Sequence, residues 1–287
     1  MLTELIIAIV LASSASASCL HGTSFMPREE GQVPISKFGY TGLQGPLNWA
    51  GLDAANIACR TGKTQSPISI DDSIAYAKSA PKVEIMNVKE TEFENLGTTL
   101  EVFHLHTPSE HRIRDEYFPL EMHMVHEAED KSIAVLAIPF QLTEDGSTTE
   151  LLTKATENIE DVREPGTATK TGELDFTELI MAIEKGPLFQ YTGSLTTPPC
   201  AEGLTFLVLE KPLALNVQTY NTLKSVIRFN SRYTQNHLGQ DNLLASSAKV
   251  AAKEDGCMHS TAGMQMVSME KVVNHCTHMC KHKQWYH

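Results

Sequence analysis

Short runs of apolar residues, separated by turn residues, recur along the middle of the chain. Their alternation predicts strands over residues 100–105, 119–126, 132–138 and 204–209. Apolar residues near helical spacing predict helices over residues 149–159 and 215–228, the second of which follows a break at Pro212. Because the strands outnumber the helices and do not alternate with them regularly, the pattern predicts a sheet-dominated α+β fold.

The apolar run at residues 5–12 is too short to cross a bilayer. Small residues follow it, and Ala15, Ser16 and Ala17 fit the pattern of a signal-peptide cleavage site. Glu4 stands where a basic residue is usual, and a buried N-terminal helix is the alternative interpretation. We predict a signal peptide over residues 1–17, and therefore a secreted, extracellular protein without a membrane span.

The composition changes along the rest of the chain and predicts three segments. We expect a polar arm over residues 18–34, one globular domain over residues 35–245 and an appended tail over residues 246–287. The tail holds five of the eleven methionines, five of the twelve histidines and three of the six cysteines. Its residues 275–282 suit Cu(I) or Zn²⁺. Disulfides, including one with Cys19, are the favoured alternative in an exported chain.

The 287 residues carry 23 basic and 35 acidic side chains, which gives a formal net charge of −12. So acidic a chain repels nucleic acid and anionic membranes, and we predict neither as a partner. An even number of cysteines in an exported chain favours disulfides, although the count does not identify the pairs.

Histidines mark two of the predicted strands. His104 and His106 are two residues apart, which places both imidazoles on one face of a strand. On the next strand Glu121 and His123 share a face, while His126 points the other way. If the two strands are neighbours, three neutral imidazoles form an open zinc site and Glu121 fixes the tautomer of the histidine that it supports. A packed sheet with hydrogen-bonded histidines is the alternative.

The segment over residues 191–200 is a second candidate for chemistry. Gly193 and the consecutive Pro198 and Pro199 predict a stiff, irregular loop. In such a loop Thr196 and Thr197 can present hydroxyl groups to a metal-bound water. Taken alone, the segment is as typical of a simple turn.

Together these motifs resemble the alpha-class carbonic anhydrases. The resemblance lies in F-H-L-H, S-E-H, E-M-H-M-V-H and S-L-T-T-P-P in this order, with G-P-L-N-W and Q-S-P-I before them, and it covers residues 38–244. H-T-P-S-E-H and F-N-S-R-Y-T-Q resemble a secreted fungal-type branch. The resemblance implies a twisted, mainly antiparallel central sheet with peripheral helices and one bound Zn²⁺. It also implies the reversible hydration of carbon dioxide to bicarbonate and a proton by zinc-bound hydroxide.

The resemblance also implies roles for single residues. The zinc ligands correspond to His104, His106 and His123. Thr196 corresponds to the catalytic hydroxyl, and Glu110 to the carboxylate that accepts its proton.

Other positions correspond to residues around the reacting groups. Glu121 and Asn230 correspond to residues that support the zinc ligands, and Arg232 to one that braces the site. Cys59 and Cys200 correspond to the disulfide of secreted members. The apolar wall and edge of the carbon dioxide pocket correspond to Val125, Val135, Leu195 and Thr197.

The chain departs from the family just before His104. Residues 94–102 run directly into Phe103, whereas the family has a further hairpin between these elements. We therefore expect a sheet that lacks one hairpin, with Val102 in place of a supporting Gln and either a less supported His104 or an exposed sheet edge. Thr98 stands at the position of the proton-shuttle histidine, so we expect turnover to depend on buffer.

Two other functions fit the same residues. A non-catalytic binding or scaffold protein of this fold is the alternative that the shortened region favours, and a zinc esterase uses the same site. All three candidate zinc ligands are present in the sequence, which favours catalysis on carbon dioxide. The sequence determines neither the biological role nor the oligomeric state.

Overall fold

The structure, a computed structural model, describes residues 33–79, 81, 83, 85–101, 103–127 and 131–259. Contacts within the chain divide it into two compact units, the first ending at Leu244 and the second beginning at Ala245. The predicted signal peptide, the predicted arm up to residue 32, Val102 and the tail from residue 260 lie outside the described residues. The proposed metal-binding or disulfide-bonded run at 275–282 is therefore outside them as well.

Short strands dominate the described residues. The strands are β1 (Ser69–Ile70), β2 (Glu92–Asn95), β3 (Leu100–Glu101), β4 (His104–His106), β5 (Arg112–Ile113), β6 (Leu120–Glu127), β7 (Ile133–Leu142), β8 (Ala168–Lys170), β9 (Leu188–Ser194), β10 (Glu202–Leu209) and β11 (Leu213–Leu215). The α-helices are α1 (Trp49–Leu52), α2 (Ala58–Thr61), α3 (Glu150–Ala155), α4 (Thr177–Lys185), α5 (Val217–Ile227) and α6 (Leu243–His259). No helix in this part of the chain is both long enough and apolar enough to cross a membrane.

The largest sheet has the strand order β4-β6-β7-β10-β9, and β11 pairs with β7 beside this path. The pairs β4–β6, β6–β7 and β9–β10 are antiparallel, whereas β7 runs parallel to both β10 and β11. The sheet is thus mixed, with antiparallel pairs in the half that carries the histidines. The sheet-dominated α+β fold predicted from the sequence is confirmed.

Alternation along β6, β7 and β10 gives this sheet two different faces. On one face Met122, Ile138 and Leu207 pack against helices α3 and α4, which contribute Leu152 and Leu179. Burying such side chains stabilises the domain by about 1.5–3 kcal/mol each. The other face carries the candidate site and a second apolar cluster, whose members include Val135, Ala137, Leu204, Phe206 and Val208.

The predicted strand over residues 100–105 is wrong, because the chain divides there between two sheets. β3 pairs with β2 in a three-stranded sheet, whereas β4 pairs with β6 in the large one. Between β2 and β3, Gly97 adopts a φ of 78°, a conformation that favours glycine. The Asn95 side chain accepts the Gly97 N–H at 2.8 Å, and Leu96 donates to the Thr99 carbonyl at 3.0 Å. These local bonds form the tight hairpin that pairs β3 with β2.

The other predicted elements are largely confirmed. β6, β7 and β10 occupy the predicted strand positions, and β7 continues four residues further than predicted, to Leu142. α5 confirms the predicted helix over 215–228. The predicted helix over 149–159 is shorter, because α3 ends at Ala155 and a 3-10 turn follows at Ile159–Val162. The sequence patterns missed α4 and β9.

Candidate metal centre and active site

The site begins with the register of β4 and β6. His104 lies opposite His123 and His106 lies opposite Glu121 in this antiparallel pair. Side chains of directly opposed residues leave the sheet on the same face. The structure therefore brings the candidate ligands and their supporting carboxylate to one face of the sheet.

The orientation of His106 is fixed by a backbone carbonyl. Its Nδ1 lies 3.0 Å from the Asn230 carbonyl oxygen, which can only accept, so Nδ1 carries the proton. The other ring nitrogen, Nε2, is buried and has no hydrogen-bond partner among the described residues. Burial lowers the pKa of His106, with smaller opposing effects from Glu110. The neutral ring thus presents an unshared electron pair to the interior of the site.

Glu121 fixes the tautomer of His123 through Nε2, whereas His106 is fixed through Nδ1. The His123 Nε2 donates to Glu121 Oε1 at 2.5 Å, so Nδ1 is the nitrogen that remains available. Burial opposes protonation of His123, but the hydrogen bond and the charge of Glu121 outweigh it and raise the pKa of His123. The available Nδ1 lies 3.8 Å from Glu110 Oε2.

His104 lies further from His106 than His123 does. Its side chain is half-buried, and its ring centroid is 6.4 Å from that of His106, compared with 4.6 Å between His106 and His123. Loss of hydration, together with the neighbouring His106 and His123, lowers the pKa of His104 to about 3. The ring is therefore neutral at physiological pH, as a metal ligand must be.

The described residues contain two groups of potential metal ligands, and within each group the donor atoms all lie within 4.8 Å of one another. One consists of His106, Glu110 and His123, and the other of His111, Glu121 and His123. His104 belongs to neither group. In the first group, His106 Nε2 and Glu110 Oε2 are both buried without hydrogen-bond partners. Buried polar atoms usually have partners, and imidazole nitrogens suit Zn²⁺, so the donor set fits this ion, with His104 at its margin.

A chain of hydrogen bonds behind the ligands holds Glu121 in place. His111 donates to it twice, from its backbone N–H at 2.9 Å and from Nδ1 at 2.6 Å. The His111 Nε2 then accepts from the Tyr191 hydroxyl at 2.7 Å, and Ser66 Oγ lies 2.9 Å from that hydroxyl. Although burial favours a neutral carboxyl, the interactions with His111 and, after it, with His123 hold the pKa of Glu121 well below its usual range.

Glu110 is buried next to His106 and His123, and it accepts a hydrogen bond from Arg232. Its Oε1 accepts the backbone N–H of Arg232 at 2.8 Å, while Oε2 accepts no hydrogen bond from any described residue. The expected hydrogen bond from the Thr196 hydroxyl to Glu110 is therefore not formed in this structure. Both side chains are buried, and Glu110 Oε2 retains the capacity to accept that bond.

Arg232 is a buried guanidinium that joins distant segments. It donates to the Ser66 carbonyl at 2.7 Å, to Gln65 Oε1 at 2.9 Å and to the Cys59 carbonyl at 3.3 Å. Burial lowers the pKa of Arg232 to about 10, so the side chain remains charged at neutral pH. The bracing role implied by the resemblance agrees with these contacts.

The residues expected to form the carbon dioxide pocket belong to one apolar cluster. Val125 on β6 lies opposite Val135 on β7, and both pack in the cluster that contains Leu195. Thr197, two positions after Leu195, is half-buried. The Leu195 N–H donates to the Ala201 carbonyl at 2.9 Å, and Cys200 donates to the Thr197 carbonyl at 2.9 Å. These bonds close the loop that carries Thr196.

The disulfide implied by the resemblance is confirmed. Cys59 and Cys200 are bonded, with their Cα atoms 5.1 Å apart, and both are fully buried beside Trp49. The bond ties α2 to the loop after Thr196.

Thr98 is directed away from solvent. Its side chain is 8% exposed, and its hydroxyl lies 2.7 Å from Ser36 Oγ. A buried hydroxyl cannot exchange protons with buffer as an imidazole does. Val102, the residue expected to replace the supporting Gln of His104, is not among the described residues.

Sequence reasoning missed several residues of the site. The roles of His111, Tyr191 and Ser66 depend on contacts between segments 80 and 125 positions apart. The sequence signal was weak: His111 ends the motif S-E-H, and Tyr191 begins the segment over residues 191–200. Ser66 begins the motif S-P-I and gave no indication of a contact with Tyr191.

The sequence is similar to proteins of a known enzyme family. A family model described as eukaryotic-type carbonic anhydrase matches residues 99–243. A carbonic anhydrase from Neisseria gonorrhoeae is 32% identical over 232 residues, which cover 73% of this chain and 83% of that protein. One from Pectobacterium atrosepticum is 31% identical over 210 residues, which cover 66% and 83%.

A solved structure supports the same relationship. The fungal alpha carbonic anhydrase from Aspergillus oryzae is 44% identical, with a TM-score of 0.71 over 75% of this chain and 99% of that chain. The likeness confirms the predicted fold and enzyme class. On these grounds the chain belongs to the alpha-class, or eukaryotic-type, carbonic anhydrase family.

Proposed function

We propose that the protein catalyses the reversible hydration of carbon dioxide to bicarbonate and a proton, with Zn²⁺ held by His104, His106 and His123. The observation that carries this proposal is the buried, unpartnered Nε2 of His106, a residue that shares one group of converging donors with His123. In carbonic anhydrases Zn²⁺ lowers the pKa of a bound water to about 7 and so supplies a nucleophile at neutral pH.

The chain's own residues prepare the ligands. The Asn230 carbonyl and the Glu121 carboxylate each accept a hydrogen bond from the N–H of one histidine ring, and each thereby leaves the other ring nitrogen available for the ion. Neutral imidazoles leave the full charge on the ion, which favours an acidic water. The low pKa of His104 favours metal binding, since no proton has to leave its ring before the ion binds.

The remaining residues act on the substrate side. We assign the wall that receives carbon dioxide to Val125, Val135 and Leu195, because an apolar surface holds an apolar gas without competing for its oxygens. We assign the positioning of the nucleophile to the Thr196 hydroxyl. Glu110 supports this assignment, because its unpartnered carboxylate oxygen has the capacity to accept a hydrogen bond from that hydroxyl, which would leave the threonine oxygen as an acceptor.

We further propose that the protein belongs to a secreted fungal-type branch. The support is its 44% identity with the enzyme from Aspergillus oryzae and its buried disulfide, because disulfides persist mainly in oxidising compartments. The apolar run at residues 5–12 and the small residues after it are consistent with export.

A non-catalytic binding protein of the same fold is the second candidate. The specific observation in its favour is that His104 lies outside both groups of converging donor atoms. On that account the chain holds metal weakly and hydrates no carbon dioxide.

Zinc content tests the proposal. Protein purified with zinc and desalted is expected to retain about one ion per chain by mass spectrometry, and H106A and H123A should each retain almost none. H237A is the matched control, because His237 is exposed and belongs to neither group of converging donor atoms. Zinc retention by H106A equal to that of the wild type would contradict the assignment.

A further inference from the structure

β4, the strand that carries His104 and His106, lies at the edge of its sheet. Among the described residues its one strand partner is β6, so one row of its backbone groups faces away from every described strand. In an extended strand the N–H and C=O of one residue point to the same side. For β4 that residue is Leu105, which lies between the two histidines and is fully buried.

A side chain meets these backbone groups. The Leu105 N–H donates to Thr99 Oγ1 at 3.2 Å, and Thr99 Oγ1 also lies 3.2 Å from the Leu105 carbonyl oxygen. A hydroxyl can accept one bond and donate another, as a strand residue does through its carbonyl and amide. Thr99 itself is buried, with 9% of its surface exposed.

The Leu105 carbonyl and amide differ in their dependence on Thr99. The carbonyl also accepts from Asn230 Nδ2 at 2.7 Å, so it keeps a donor if the hydroxyl is removed. For the amide, Thr99 Oγ1 is the acceptor on the side of β4 that faces away from β6. Because unpaired buried amides are strongly disfavoured, loss of the hydroxyl should move β4 or admit water to its edge.

We propose that Thr99 is a positioning residue that takes the place of a neighbouring strand and thereby sets the positions of His104 and His106. The proposal rests on the proposed function for its link to zinc, since it assumes that these two histidines bind the ion. It follows from the shortened segment before β4, in which the hairpin of β2 and β3 brings Thr99 within reach of Leu105.

The test compares three variants. T99V removes the hydroxyl at nearly constant volume, and T99S keeps a hydroxyl on the same atom. T98V is the matched control: Thr98 is also buried, but its hydroxyl bonds to Ser36 and its carbonyl bond from Asn230 survives the change. All three are made in the full chain.

Hydrogen exchange of the Leu105 amide gives a readout without metal. In T99V this amide should exchange at least about tenfold faster than in the wild type, while T99S and T98V should match the wild type, because only T99V removes its acceptor. Equal exchange in T99V and wild type, or equal acceleration in T98V, would overturn the proposal.

Titration with Co²⁺, a spectroscopic substitute for Zn²⁺, tests the link to the ligands. T99V should bind about 10- to 100-fold more weakly, as expected for loss of a group that orients ligands, and T99S should restore the affinity. If wild type and T99V bind Co²⁺ equally well, the positioning role is wrong and the proposed function stands. If the wild type binds none, the proposed function fails, and with it the assigned link to the ligands.

Discussion

The Nδ1 of His106 donates a hydrogen bond of 3.0 Å to the backbone carbonyl of Asn230, which lies 124 positions later in the chain. The Asn230 side chain adds three bonds to the same region: Nδ2 donates to the Thr98 and Leu105 carbonyls, and Oδ1 accepts from the Thr107 N–H. One residue thus fixes both the tautomer of a candidate ligand and the backbone of its strand.

Removal of that side chain should loosen the metal centre. N230A loses three buried hydrogen bonds, so we expect about 3 kcal/mol of lost stability and zinc affinity reduced by about 10- to 100-fold. Urea unfolding and metal titration measure the two effects. N236A is the control, because the Asn236 side chain bonds only within its own loop, where it donates to the Asp241 carbonyl and accepts from the His237 N–H. Similar losses of zinc affinity in both variants would contradict the role of Asn230.

The central features of the metal centre were predictable from spacing alone. His104 and His106 are two positions apart, as are Glu121 and His123, and this spacing places each pair on one face of a strand. Adding the family resemblance identified the ligands' strands as neighbours. The structure bears this out in the direct opposition of His104 and His123.

Other features depend on the folded chain and were not predictable. The predicted strand over residues 100–105 divides because β3 pairs back onto β2 whereas β4 pairs with β6, a choice of partner that apolar alternation does not register. The bond from His106 to Asn230 and that from His111 to Tyr191 join segments far apart in sequence. No local pattern specifies which distant carbonyl or hydroxyl reaches a given ring.

The disulfide should contribute much of the domain's stability. Cys59 and Cys200 close a loop with a sequence separation of 141, for which chain entropy gives up to about 5 kcal/mol. We expect the variant C59S/C200S to unfold at lower urea concentration and to lose protection from proteolysis in the loop that carries Thr196. Unfolding of wild type and variant with matched midpoints under non-reducing conditions would contradict this expectation.

His126 should make the protein sensitive to acid independently of metal. It lies on β6 pointing away from the zinc ligands, and burial lowers its pKa to about 4. Because the folded pKa lies below the unfolded value of about 6.5, the unfolded state binds more protons as pH falls. His126 therefore stabilises the fold fully above pH 6.5 and loses this contribution between about pH 6.5 and 4.

The matched variant for His126 is H126Q, which does not titrate. Urea unfolding of the wild type should weaken by about 2 kcal/mol more than that of H126Q between pH 8 and pH 5. Groups common to both proteins cancel in this comparison. Parallel pH profiles for the two proteins would show that His126 does not carry the effect.

Proton release should depend on external buffer. By the family resemblance the shuttle histidine maps near Thr98, which is buried against Ser36, and a hydroxyl does not carry protons at neutral pH. We expect the turnover number at saturating carbon dioxide to rise several-fold as imidazole buffer increases from low to high concentration. A turnover number independent of buffer concentration would indicate another internal shuttle.

The central claim is that this chain hydrates carbon dioxide at a zinc ion held by its histidines, and stopped-flow hydration measures it most directly. Protein with about one zinc per chain should accelerate hydration far above the buffer rate, and the acceleration should disappear on removal of zinc and in H106A. H237A, the exposed-histidine control, should retain it. Wild-type protein that holds one zinc per chain and hydrates carbon dioxide no faster than buffer would contradict the account.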